Sequence, residues 1–434
     1  MLSVVENEEN SYSTTVVIIG AGPVGLLTAL RLAQSGIKVD IVEKEADLSD
    51  APRACSYYAA ALHALQKANV LDDIKTAGFT TGGLCWRGPL DDDGKGGKKL
   101  GEMLACLPIV GTNDWDHGVV NLQQSKLASL LYRRAVETGL VKVHFGLRLK
   151  GIQQDADSVT ATVSREDGST ETTFHASFLV GADGGRSTTR KLLGIQFKGH
   201  IWPERLVAID VLIKDAEFDD DFPSSLFVDP VHWGLVSPLE KPQRGKETLW
   251  RCTVALHPSD QRGDDQVVAE ESIRSLLSHV VPSPQLDTAA VVRASPYRVH
   301  QLCATTLNSG RCVLVGDAAH LNNPMGAMGL TTGILDADAL ADALELIIHE
   351  GKPISVLDVY SDERRRAFQM FVDPSSSQNK LRIASDVSTA KQDWLIRFMA
   401  RASGDGAMVK QATEPFFSVW RTDMRKSLYT QQAD

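Results

Sequence analysis

Two glycine-rich stretches, GAGPVG at residues 20–25 and GDAAHLNNPMGAMGLTTG at 316–333, set side-chain-free backbone beside carboxylates near opposite ends of the chain. The first has its glycines at Gly20, Gly22 and Gly25, after the apolar run TTVVIIG and at the head of the helix-patterned VGLLTALRLAQSG. That is G-x-G-x-x-G between strand and helix, where backbone N–H groups and a helix N-terminus can approach a pyrophosphate. Glu43 ends the next apolar run, KVDIVEK, where a carboxylate can hydrogen-bond an adenosine ribose. The acid favours an unphosphorylated ribose, as in FAD or NAD. The second stretch separates those two. A simple NAD dehydrogenase has no need of a distant loop that brings a carboxylate and more glycines to the cofactor. Asp317 at a strand end can accept hydrogen bonds from ribityl hydroxyls, and GAMGLTTG entering a helix can face the electron-rich end of a flavin ring and stabilise its reduced anion. One loop then holds the pyrophosphate and the other the flavin.

With these motifs in view, the chain resembles the single-component FAD-dependent aromatic hydroxylases, the family of para-hydroxybenzoate and phenol hydroxylases. Three motifs match in order: GAGPVG with Glu43, GADGGRS at 181–187, and GDAAH with Pro324, Gly326 and Gly329. The likeness covers roughly residues 14–370 and is more specific than any single motif. It implies that Arg53 in APRA lies near the FAD phosphates, that Gln124 in QSKL touches the flavin, and that Asp183 serves both FAD and the nicotinamide cosubstrate. Leu330 and Thr331 follow the last loop glycine. The family commonly has asparagine where this chain has Thr331, which bears on flavin potential rather than on flavin binding. The W-x-W-x-I-P signature of flavin halogenases is missing, as is a thioredoxin-like extension. The implied reaction uses NADPH or NADH to reduce FAD, forms a flavin hydroperoxide with O2, and transfers one oxygen to a phenolic or other electron-rich aromatic small molecule.

The elements needed to position these groups can be read from periodicity. The first fingerprint belongs to a βαβ unit, and CVLV, the second loop and LTTGILDADALADALELIIHEG return to strand, loop and helix, with an apolar stripe through Leu330, Ile334, Ala337, Ala341, Leu344 and Ile348. Between them VTATVSREDGSTETTFHA reads as a hairpin, and RLVAIDVLIK, WGLVSPL and TLWRCTVAL as further strands of an antiparallel sheet. The expected architecture is α/β: a Rossmann-like FAD-binding domain of residues 12–80, 112–190 and 296–373, an inserted mainly antiparallel substrate domain of 81–111 and 191–295, and a C-terminal helical segment of 374–434. The polar run RGPLDDDGKGGKK reads as an exposed loop, and MLSVVENEENSYSTT as a loose leader without a targeting signal. In the last segment the apolar Trp394, Ile396, Phe398 and Met399 stand near one another in a patchily amphipathic run, which is expected to pack as helices.

Composition excludes other classes. With 434 residues, 43% apolar and 23% charged, the chain has the make-up of a globular protein of two or three domains. A net charge of -10 disfavours nucleic acid, and no apolar run is long enough to span a membrane. Six scattered cysteines without C-x-x-C spacing suggest reduced thiols, no metal site and a cytoplasmic location.

Hydroxylation needs a dry pocket and a base that activates the phenol. His232, in a strand beside Trp233, and Tyr297, ahead of the flavin loop, are the candidate catalytic residues, although on residue type alone a packed residue of the sheet is the commoner case for each. Arg251 could bind an acidic substrate or pair with a carboxylate, His320 could face the cofactor or brace its loop, and Tyr360, Arg364 and Arg365 read as solvated or ion-paired. An alkene epoxidase would share every motif. A flavin oxidase or dehydrogenase would draw electrons from its organic substrate, and a binding module would consume no NAD(P)H.

Overall fold

The computed structural model describes residues 10–431 except 52, 110–117, 169–170, 215–217, 219–222, 244 and 403–404. A six-stranded sheet carries both glycine loops. Its order is Val141–Phe145, Val39–Glu43, Val16–Ile19, Phe178–Gly181, Cys312–Leu314 and Asn308–Ser309, parallel except for the last pair. The strand Val16–Ile19 is buried on both faces. Val16 and Ile18 join the core under the helices, while Val17 and Ile19 join a second core with Phe174 and Val163 from a four-stranded sheet stacked on the other side. A continuous apolar run is what a two-sided parallel strand requires.

Two sequence expectations change here. The hairpin Val159–Ser164 with Glu171–Ala176 forms as expected but belongs to that four-stranded sheet, not to the larger antiparallel one. The leader is not loose from residue 10 onward, because Asn10–Ser13 pairs in parallel with Thr172–His175; its first nine residues lie outside the described set.

The second large sheet has eight strands, in the order His320–Leu321, Ala290–Ala304, Phe197–Lys214, Glu247–Ala255, Gly234–Pro238, Ser224–Phe227, Gly83–Arg87 and Met103–Pro108. It is antiparallel except where Ser224–Phe227 meets Gly83–Arg87. Alternation gives it two unlike faces. Val207, Ile209, Val211 and Ile213 point to the back with Trp250 and Val254, under the helix Glu270–Leu277. Leu206, Leu226 and Trp86 point to the front and merge with the core of the first sheet. The strand Ala290–Ala304 runs through residue 296, so the expected domain boundary falls inside a strand shared by sheet and flavin loop.

The run 87–99 closes into a short exposed hairpin, Asp91–Asp92 with Lys98–Lys99. The C-terminal segment is helical as expected, and in the helix Trp394–Ala402 Ile396 and Met399 are buried while Trp394 is 69% exposed on the opposite side. Pro374 lies at the start of the helix Asp373–Ile383, where proline is tolerated, rather than at a break. All six cysteines are free thiols, and among the described residues no helix is long and apolar enough to cross a membrane.

Candidate active site

The three fingerprint glycines are needed for different reasons. Gly20 has φ +109°, and a Cβ on it would lie 2.5 Å from the Ala182 carbonyl oxygen. A Cβ on Gly25 would lie 2.2 Å from the Gly20 carbonyl oxygen, so both residues are fixed by the turn and by the closeness of helix to strand. Gly22 has an ordinary extended backbone and nothing within 4 Å of where its Cβ would be. The protein itself does not demand glycine there, and the position is open to a group approaching from outside. Gly22 is also the N-cap of the helix Pro23–Gln34, and no side chain caps it. That leaves N–H groups for an anion. Glu43 ends its strand as expected, and its carboxylate accepts hydrogen bonds from the Ala21 N–H at 2.7 Å and the Glu45 N–H at 3.0 Å, which ties the ribose-side acid to the turn.

Asp183 is fully engaged within its own motif. Its carboxylate accepts from the Ser187 hydroxyl at 2.5 Å, the Thr188 and Thr189 N–H groups at 2.8 and 2.9 Å and the Thr189 hydroxyl at 3.1 Å, capping the helix Thr188–Leu192. Arg190 from that helix donates to the Ala318 carbonyl at 2.8 Å and the Gly185 carbonyl at 2.9 Å, joining the Asp-Gly motif to the Gly-Asp motif.

Asp317 is exposed to solvent, yet protein surrounds it so deeply that burial raises its pKa, with Arg53 and His320 pulling it back. Tyr297 is half-buried and behaves likewise: burial raises its pKa, opposed by Arg251 and Arg53. The Arg53 charge acts on both Asp317 and Tyr297, with Arg53 in the loop before strand Ser56–Tyr58, Asp317 beyond the end of Cys312–Leu314, and Tyr297 on the front of the large sheet beside Thr253. Gln124 opens the helix Gln124–Glu137, and its N–H donates to the Ala54 carbonyl at 2.9 Å. It lines a shallow groove with Arg53, Ser125, Arg251 and Arg293.

The flavin loop is shaped by backbone. Gly326 has φ +107°, and its carbonyl accepts a 2.5 Å hydrogen bond from the buried Tyr58 hydroxyl. Ala327 is left-handed at φ 51° and starts the helix Met328–Ile348 without a side-chain cap. Leu330 and Thr331 lie in its first turn, after Pro324 and Gly329. The Thr331 hydroxyl donates to the Ala327 carbonyl at 2.9 Å, so it is used on its own helix rather than directed outward.

His320 braces this loop. Its Nε2 lies 2.6 Å from Asp336 Oδ2, which also accepts the Gly316 N–H at 3.0 Å, while Arg364 Nε donates to Asp336 Oδ1 at 2.7 Å. All three side chains are buried, so Arg364 is ion-paired and not solvated. Tyr360 is buried too and donates to the Leu314 carbonyl at 3.1 Å. Burial alone would raise the Asp336 pKa, but His320 and Arg364 outweigh it and hold it at about 2.

His232 is not brought to this groove. It lies in a turn ahead of Gly234–Pro238, not in the strand, because the Asp229 carboxylate accepts the Val231 and His232 N–H groups at 2.8 and 2.6 Å. Its Nδ1 is 3.1 Å from the Ala255 carbonyl, and its ring stacks at 4.1 Å on His279, just beyond the helix that covers the back of the sheet.

Two clusters escaped sequence reasoning. Asp210 on the front face accepts from Arg251 and Arg293, and Asp336 forms the core of the flavin-loop brace. The available signal was a carboxylate set in an apolar run, alone in RLVAIDVLIK and one of three in ILDADALADAL.

Comparison with known proteins agrees with this geometry. Residues 13–375 match the FAD binding domain family, and the chain belongs to that family. It is 34% identical to para-nitrophenol 4-monooxygenase of Pseudomonas sp. (strain WBC-3), over 84% of this chain and 86% of the other. Identity is 32% to a 6-hydroxy-3-succinoylpyridine 3-monooxygenase of Pseudomonas putida (strain DSM 28022 / S16), over 89% and 93%. Among solved structures, p-nitrophenol 4-monooxygenase from Pseudomonas putida DLL-E4 superposes with a TM-score of 0.75 at 30% identity, covering 98% of both chains. The protein is an FAD-dependent monooxygenase. The residues present fit FAD: an open position at Gly22, an uncapped helix N-terminus, and a solvent-exposed Asp317 just past a strand end, on which the Arg53 charge acts.

Proposed function

We propose that the protein is a cytoplasmic NAD(P)H-dependent hydroxylase of phenols, with net reaction NAD(P)H + H+ + O2 + ArH giving NAD(P)+ + ArOH + H2O. The observation that carries the substrate side is the gathering of Arg53, Arg251 and Arg293 around one groove in front of the large sheet, with the Arg251 and Arg53 charges acting on Tyr297. The names of the relatives support a phenolic or hydroxypyridine ring.

Gly22 and the helix it caps would hold the pyrophosphate, Glu43 the adenosine ribose, Asp317 the ribityl chain, and Arg53 and Gln124 the phosphate and flavin edges. The N-terminus of Met328–Ile348, with Pro324, Gly326, Gly329, Leu330 and Thr331, would present N–H dipoles to the flavin ring. Bound FAD supplies the passage of electrons from NAD(P)H to O2. Asp183 orders its loop from within, so its contribution to cofactor binding is indirect. Tyr297, its pKa raised, keeps its proton through neutral pH and orients the phenol as a hydrogen-bond partner. Arg251, Arg293 and Arg53 make the groove cationic, which favours the phenolate, the more nucleophilic form of the ring.

Steady-state assay of NADPH and NADH oxidation and product formation with 4-nitrophenol and related phenols tests this reading. Oxidation coupled to a hydroxylated product is expected; turnover of the organic substrate without NAD(P)H would contradict it.

A further inference from the structure

We propose that Asp210 is a positioning residue that couples the substrate sheet to the flavin, holding Arg251 and Arg293 as a clasp on the loop 50–55 that carries Arg53. The proposal rests on the reading of Arg53 as an FAD ligand. Asp210 is 1% exposed, in the middle of the long strand Phe197–Lys214. A carboxylate so buried must be compensated. It accepts from Arg251 Nε at 2.7 Å and Nη2 at 2.9 Å, and from Arg293 Nε at 2.6 Å.

One arginine would have sufficed to neutralise it. The second leaves a net positive charge, and the remaining contacts of both run to the same loop: Arg251 Nη1 donates to the Arg53 carbonyl, and Arg293 Nη1 donates to the Asp50 carbonyl at 2.8 Å. From the other side, the Ala54 and Cys55 carbonyls accept the Gln124 and Leu122 N–H groups at 2.9 and 2.8 Å. The loop is gripped on both sides by its backbone, while among the described residues the Arg53 and Gln124 side chains make no hydrogen bond or salt bridge, and the Arg53 charge acts at a distance on Asp317 and Tyr297. Fixing the backbone and leaving the cationic side chain free is how a scaffold orients a ligand-binding group. Asp210 and Leu206 lie on the same face of their strand and pair with Arg293 and Tyr297 of the neighbouring one, so a ring seated against Tyr297 bears on the strands that carry the clasp.

Removing Asp210 would strand two guanidiniums and could unfold the sheet, so the test uses Arg293, which is half-buried. Apo-protein is reconstituted with FAD, the Kd is read from flavin fluorescence, and the Tm of the apo-protein controls for folding. Arg53→Ala and Arg293→Gln are each expected to raise the Kd roughly ten-fold or more, the loss of one charged contact. The apo Tm should move by less than about 3 °C. Arg293→Lys should recover most of the affinity, because its ammonium can still lie between Asp210 and the Asp50 carbonyl. The change in flavin absorbance on adding 4-nitrophenol should shrink in Arg293→Gln and return in Arg293→Lys. If Arg53→Ala weakens FAD but Arg293→Gln binds it as the native chain does, the clasp is overturned. If Arg53→Ala also binds normally, the assignment of Arg53 falls and takes the clasp with it.

Discussion

At the scale of single residues, glycine identity carries two kinds of information that one sequence pattern does not separate. Gly25 is required by the fold, whereas Gly22 is not, and the proposed function assigns it to the cofactor. Gly25→Ala should therefore lower the Tm of the apo-protein by several degrees, because its methyl meets backbone that cannot yield. Gly22→Ala should leave the apo Tm nearly unchanged and weaken FAD, a split that calorimetry and fluorescence titration can read separately. Tyr297→Phe is expected to lower kcat roughly ten-fold to a hundred-fold with FAD affinity unchanged. Since burial raises the tyrosine pKa, the hydroxyl stays protonated through neutral pH, and the kcat profile of the native enzyme should show no tyrosine ionisation below about pH 10. The strand-end positions of the glycine turn, Glu43 and Asp317 were legible because they follow from local sequence pattern. His232 was misplaced because an Asp229 turn precedes the strand, and Arg251 was left between substrate and ion pair because its partner Asp210 lies 41 residues away in sequence.

At the scale of elements, the brace of His320, Asp336 and Arg364 joins the flavin loop to the long helix and to the C-terminal segment, through the Arg364 hydrogen bonds to the Trp420 carbonyl at 2.7 Å and the Thr422 hydroxyl at 3.2 Å. Breaking a buried pair on one side is costly. Asp336→Asn should destabilise the protein by about 3–5 kcal/mol in denaturant titration. Because the folded Asp336 has its pKa lowered to about 2, its contribution is complete above the ordinary value of 3.8 and is lost as pH falls from there through about 2. His279 has the opposite charge type. Burial, and then His232 beside it, lower its pKa from 6.5 to about 4, so the unfolded chain takes up the proton first. Stability should fall as pH drops from about 6.5 toward 4, and in a Tm series His279→Asn should flatten that slope. Strands and helices were legible from periodicity, but which face of the large sheet looks at the flavin was not, because alternation marks two faces without saying which is which.

At the scale of the whole molecule, two nucleotide-fold segments flank an inserted sheet whose front merges with the core of the first sheet. The motif order anticipated this layout. It could not anticipate that the strand Ala290–Ala304 belongs to the inserted sheet while its far end pairs with the flavin loop, nor that residues 10–13 add a strand to the stacked sheet, since both depend on pairing between distant segments. The central claim is that electrons enter from a nicotinamide and leave through oxygen to a phenol. Anaerobic mixing of the FAD-loaded protein with NADPH and with NADH, with and without 4-nitrophenol, tests it most directly by the bleaching of flavin absorbance. The account predicts reduction by at least one nicotinamide, faster when the phenol is bound. Tightly bound FAD that neither nicotinamide reduces, with or without the phenol, would contradict it.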